Sequence, residues 1–153
     1  MVLYAIIAVV AIILDQITKS IVVKYLMPIG DFPLFDGVFH LTYSENTGAA
    51  FGVFSGNIVI LSIFTFVVMV GLIFFSYRAY KKNPAKKLYI ISLAMIFGGA
   101  VGNFIDRFFN GYVVDFLYFK LIDFAIFNVA DMFLCVGAFF MCVCLLFDKQ
   151  IKM

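Results

Sequence analysis

Four long apolar runs divide the chain, and its polar residues are bunched between them and at their ends. The runs extend from Val2 to about Tyr25, from Ile58 to about Tyr77, from Leu88 to about Phe108 and from about Met132 to Phe147. An α-helix needs about 20 mostly apolar residues to cross a bilayer, so the pattern predicts four spans. The first run has the apolar centre of a signal peptide, but apolar character resumes through Ile21-Val22-Val23. No basic residue precedes it and no small-residue cleavage site follows, so it reads as a spanning helix. Between the first two runs, Phe35, Gly37, Phe39, Leu41 and Tyr43 share one parity, with Asp36, His40 and Thr42 on the other. A period of two predicts a strand or hairpin with one polar face. The β-branched and aromatic stretch from Val113 to Phe127 predicts the same, and pairing of the two would satisfy their backbone groups at the membrane surface.

The predicted fold is an all-α integral membrane protein, with four transmembrane helices and a small extracytoplasmic β element in a single membrane domain, residues 1–153. Composition agrees, since 65% of residues are hydrophobic and 13% charged, with a mean hydropathy of +1.13. A soluble domain of this length needs more charged surface than that. Arg78, Lys81, Lys82, Lys86 and Lys87 crowd the loop between the second and third runs, which the positive-inside rule assigns to the cytoplasm. Both termini are then cytoplasmic, in keeping with Lys149 and Lys152, and the other two loops face outside. The net charge of +2 is concentrated in that basic loop and gives no reason to expect nucleic acid as a partner. Cys135, Cys142 and Cys144 all lie in the last run and read as small packing residues. No metal site and no cofactor is expected.

Charge inside a membrane is costly and needs a reason. Asp15 and Lys19 stand at i and i+4 in the first run, on one helix face. They read equally as a structural ion pair or as part of a site. Ala94, Gly98 and Gly102 recur every fourth residue in the third run, a face that lets helices approach closely. Asn103, Asp106 and Arg107 share a face at its outer end, where Asp106 and Arg107 read as an interfacial salt bridge with Arg107 reaching to water. With Asp131 opening the fourth run, and Glu45 and Asn46 in the first outer loop, nearly all ionisable residues at membrane depth converge on the outer leaflet. An ion path would string them across the full thickness, so a transporter relay through Asp15, Lys19 and Asp106 is the less favoured reading. A non-catalytic packing subunit is a third.

The blocks Asp15-Gln16-Ile17-Thr18-Lys19, Asn46-Thr47-Gly48-Ala49-Ala50-Phe51, Gly98-Gly99-Ala100-Val101-Gly102-Asn103 with Asp106-Arg107, Gly111-Tyr112-Val113-Val114-Asp115-Phe116 and Phe127-Asn128-Val129-Ala130-Asp131 follow one another along most of the chain. In these blocks and their order the chain resembles the lipoprotein signal peptidases (signal peptidase II), bacterial membrane aspartyl proteases. The resemblance implies that Asp115 and Asp131 are the catalytic pair. It places Asn46, Asn103, Arg107 and Asn128 around them as substrate-binding or supporting residues, with Asp15, Lys19 and Asp106 as structural polar groups. The implied substrate is a prolipoprotein carrying diacylglycerol on its lipobox cysteine and cut on the N-terminal side of that cysteine. The expected protein is a monomer in the bacterial inner membrane, in contact with membrane lipids. Where family members often carry Trp and Pro before the last block, this chain has Phe124-Ala125-Ile126.

Two carboxyl groups sharing one proton suit peptide hydrolysis by water, because neighbouring like charges resist joint ionisation. Asp131 also reads as a helix cap, and Asp115 as a solvated turn residue. Asp123 repeats the apolar–apolar–Asp–Phe setting of Asp115 eight residues on, yet lies in none of the blocks, so it reads as a solvent-facing loop residue. His40 is expected on the polar surface of the outer hairpin.

Overall fold

The computed structural model describes residues 1–48, 57–84 and 86–147. Ala49, Ala50, Phe51, Lys149 and Lys152 lie outside the described residues. The apolar runs form helices α1 (Val2–Tyr25), α2 (Ile58–Lys82), α3 (Lys87–Asn110) and α4 (Val129–Phe147), all long and apolar enough to cross a membrane. Strands β1 (Asp31–Phe35), β2 (Phe39–Asn46) and β3 (Val113–Tyr118) make one antiparallel sheet in that order.

Helix α3 is the centre of the bundle because its small residues admit neighbours on two sides. A Cβ at Gly98 would lie 2.7 Å from the Ala11 Cβ of α1, and one at Gly99 would lie 2.5 Å from the Ala130 carbonyl oxygen of α4. The face predicted from Ala94, Gly98 and Gly102 therefore receives α1, and Gly99 opens a second face to α4. Ile60, Phe64 and Val67 of α2 point outward, as surfaces that lipid covers should.

The sheet is held against the helix ends by a buried cluster of Val22 and Leu26 with Val114 and Phe116, joined by Leu41, Leu117 and Val129. Burying side chains of this size is worth about 1.5–3 kcal/mol each. Helix α3 stops at Gly111, whose φ of 79° is left-handed and whose N–H returns to Arg107 O at 3.2 Å. A side chain there would be strained, and the turn delivers the chain straight into β3.

Three expectations need correction. The stretch from Val113 to Phe127 is a strand only as far as Tyr118. A 3-10 turn at Lys120–Ile122 follows, and Phe127 then folds back onto Leu117, with N–H···O bonds of 3.1 and 2.8 Å. Asp123, at φ 49°, ends that turn exposed to solvent. His40 is buried, because the hairpin wraps around it: Gly37 N donates to its Nε2 at 3.3 Å and its Nδ1 lies 2.8 Å from Asp31 Oδ2. With Nε2 accepting, the proton belongs on Nδ1. Thr42 and then His40 hold the Asp31 carboxyl below its ordinary range by hydrogen bonding to it. Of the three cysteines only Cys144 is buried; Cys135 and Cys142 face outward from α4.

Candidate active site

The fourth helix begins at Val129, earlier than its apolar run, because Asn128 and Asp131 cap it reciprocally. Asn128 Oδ1 accepts from Asp131 N at 3.0 Å, and Asp131 Oδ2 accepts from Asn128 N at 3.2 Å. This is a capping box with Asp in the place usual for Glu or Gln, and the carboxylate also meets the positive end of the helix dipole. The capping reading of Asp131 is therefore correct, but it occupies one oxygen. The other, Oδ1, accepts from Asn103 Nδ2 of α3 at 2.8 Å.

Asn128 also brings the second acid to the same place. Its Nδ2 donates to Asp115 Oδ1 at 2.7 Å, so one residue holds both carboxyl groups, through its side chain and its backbone. Asn46 Nδ2, at the end of β2, donates to Asp115 Oδ2 at 2.9 Å, and Gly48 N in turn fixes Asn46 Oδ1 at 2.9 Å. Asp115 is 2% exposed. Burial pushes its carboxyl up to about 7, the bonds from Asn46 and Asn128 oppose the rise, and the charge on Asp131 adds to it. Asp115 is thus no solvated turn residue.

Beneath this pair lies a buried ion cluster. Lys19 Nζ reaches Asp15 Oδ2 at 2.9 Å, Asp106 Oδ2 at 3.0 Å and Asn103 Oδ1 at 2.9 Å. Each acid then grips the backbone next to one member of the pair. Asp15 Oδ1 accepts from Ala130 N at 2.9 Å, beside Asp131, and Asp106 Oδ2 accepts from Val114 N at 3.1 Å, beside Asp115. Asn103 Oδ1 is claimed by Lys19 and by Asn128 Nδ2 at 3.0 Å, which turns its Nδ2 toward Asp131. An ammonium shared among two carboxylates and an amide satisfies groups that would be very costly unpaired.

Asp106 therefore pairs with Lys19, and the expected Asp106–Arg107 bridge is not what forms. Arg107, one position round the helix, sends Nη2 to Gly48 O at 3.3 Å, and its buried Nε has no partner among the described residues. Gln16 carried no assigned role in the sequence. Its Nε2 joins Asp15 Oδ2 at 3.2 Å, Asp106 Oδ1 at 3.1 Å and Gly102 O at 3.2 Å. Its position next to Asp15 within the first block was the available signal.

Fold and site together define an integral membrane protein with two acids held by one asparagine where its sheet meets its helix ends. The family model described as signal peptidase (SPase) II matches residues 7–147, and the chain belongs to that family. It is a multi-pass bacterial membrane protease. Similar proteins include the lipoprotein signal peptidase of Caldanaerobacter subterraneus subsp. tengcongensis, 48% identical over 139 residues, covering 91% of this chain and 92% of the relative. The lipoprotein signal peptidase of Halalkalibacterium halodurans is 44% identical over 153 residues, covering 98% and 92%. A bacterial membrane enzyme solved by the in meso method at 2.3 Å resolution superposes with a TM-score of 0.83 at 34% identity, covering 98% of this chain and 91% of that one.

Proposed function

We propose that the protein removes the signal peptide from diacylglyceryl-modified prolipoproteins as an aspartyl endopeptidase, with Asp115 and Asp131 as its catalytic pair. The observation that carries the reading is the joint hold of Asn128 on both carboxyl groups. The pair shares one proton, and the burial that pushes the Asp115 carboxyl up to about 7 keeps that proton on the pair at mildly acidic to neutral pH. The ionised carboxylate takes a proton from water as the water oxygen bonds to the scissile carbonyl carbon. The protonated carboxyl gives its proton to the carbonyl oxygen, forming a neutral tetrahedral diol. Collapse of the diol breaks the C–N bond: the protonated carboxyl gives its proton to the leaving amine while the ionised carboxylate takes one from a diol hydroxyl, so the new acid forms and the pair regains its single proton. The two acids titrate as a unit, so the proton count belongs to the pair.

Asn46, Asn103 and Asn128 hold the carboxyl oxygens in fixed directions before substrate arrives, which lowers the reorganisation the reaction needs. Arg107, whose buried Nε has no partner among the described residues, is the candidate donor to a substrate carbonyl. Asp15, Lys19 and Asp106 clamp the two backbone segments that carry the pair. The cut falls on the N-terminal side of the lipidated cysteine, at the outer leaflet of the bacterial inner membrane, with both termini cytoplasmic. The family membership and the single depth of the polar cluster support this placement.

The test is cleavage of a diacylglyceryl-modified lipobox peptide beside its unlipidated twin. Faster cleavage of the lipidated peptide is expected. Equal rates contradict the proposed substrate class.

A further inference from the structure

The sheet has two unlike faces. Asp31 pairs with Thr42 and Pro33 with His40, which is itself opposite Tyr118, so the polar groups line one side. On the other side Phe32 is opposite Leu41, which is opposite Leu117, and at the inner end of the sheet Val114 and Phe116, with Leu41 and Leu117 beside them, pack on the end of α1. The outer part runs past the helices and is uncovered. Phe32 and Leu34 of β1 are about half exposed, Phe35 at the hairpin is 70% exposed, and Leu121 and Ile122 of the 3-10 turn are 70% and 69% exposed. These apolar side chains lie outside every spanning helix. An apolar patch of this kind on an extramembrane element marks a place of contact.

We propose that this edge is a shallow membrane anchor: β1 and the 3-10 turn dip into the headgroup–acyl boundary of the leaflet on the sheet's side of the bundle. Continuity argues for lipid as the occupant. The lipid-facing side of α1 leads through exposed Ile21 and Tyr25, then Met27 and Ile29, directly into β1. The patch thus prolongs a surface that lipid already covers. The consequence concerns the site, because β2 and β3 of the same sheet carry Asn46 and Asp115. An anchored sheet fixes the height of Asp115 relative to the membrane surface.

The chain has no Trp, so a single introduced indole reports one position without background. Phe35→Trp and Leu121→Trp are each reconstituted in vesicles of phosphatidylcholine and phosphatidylglycerol, with and without bromine in the acyl chains, and titrated with acrylamide. Burial about 5–10 Å into the interface predicts that brominated lipid removes roughly half or more of the emission at both positions, with weak acrylamide quenching. Strong acrylamide quenching and no bromine effect would show a water-facing edge and overturn the anchor. Protection from both quenchers would mean that a second copy or another protein covers the patch, and overturns it equally. A second measurement reads the consequence: the double variant Leu121→Ser with Ile122→Ser should cleave a lipidated precursor several-fold more slowly in vesicles than the parent, with equal rates in detergent micelles. Equal rates in both settings would remove the link between anchor and site. The fluorescence arm does not depend on which residues are catalytic, so it stands or falls separately from the proposed function.

Discussion

Replacing Lys19 by Met tests how the buried ion cluster supports the site. The ammonium is 4% exposed and holds Asp15, Asp106 and Asn103 at 2.9–3.0 Å. Methionine fills a similar volume but leaves two carboxylates facing each other in a dry interior. Removing one partner of a buried ion pair costs about 3–5 kcal/mol. A chain of this size loses about 2–4 °C in Tm per kcal/mol, so a fall of roughly 6–20 °C is expected. The effect extends to catalysis, because Asp15 holds Ala130 N and Asp106 holds Val114 N, each beside one of the paired acids. The assay is thermal unfolding in detergent micelles, with cleavage measured well below the variant's Tm. A loss of rate there, in still-folded protein, is the expected signature of disturbed positioning. A Lys19→Met protein with wild-type Tm and rate would refute the clamp.

The remaining predictions concern the proton, the decoy acid and the helix contact. Asp115 loses its proton as pH rises through about 7, so the rate should fall on the alkaline side with a midpoint near that value; a flat profile from mildly acidic to alkaline pH contradicts the shared proton. The same shift links to stability. A carboxyl whose folded value is raised contributes stability that is complete below its unfolded value of about 4 and is lost as pH rises toward 7. Asp115→Asn should therefore flatten the decline of Tm between mildly acidic and alkaline pH. Asp123→Asn should leave cleavage nearly unchanged, since the side chain is exposed, bonds only Tyr118 OH in the described structure, and Asn tolerates its left-handed backbone. Gly99→Ala sets a methyl 2.5 Å from Ala130 O and should cost about 1–3 kcal/mol in an unfolding measurement, with lower cleavage because α4 carries Asp131.

The spans and the small sheet were legible because each follows from a periodicity with one physical cause: bilayer thickness for the helices, alternation for β2. The blocks pointed to polar residues that the fold gathers in one place, whereas their pairings could not be read from them. Adjacency suggested Asp106 with Arg107, but consecutive helix positions diverge by about a third of a turn, and the cation on the same side as Asp106 comes from α1. His40 looked like a surface residue from its parity. Parity separates the faces of a strand without telling whether a turn will fold over one of them. Asp115 and Asp123 could not be told apart by spacing, since an even separation aims both the same way only if the strand continues. It ends at Tyr118, and the left-handed residue that ends the next turn is Asp123 itself. The start of α4 was missed for a related reason: Asn128 and Asp131 are polar, so an apolar run cannot include them, yet their mutual cap is what begins the helix.

The most direct test of the paired acids compares purified Asp115→Asn and Asp131→Asn proteins with the parent on a diacylglyceryl-modified precursor, after confirming that each variant unfolds cooperatively. Loss of a positioned acid or base costs about 10²–10⁴-fold, and each variant is expected to lose at least that much. Near-normal cleavage by either folded variant contradicts the assignment of Asp115 and Asp131 as the catalytic pair.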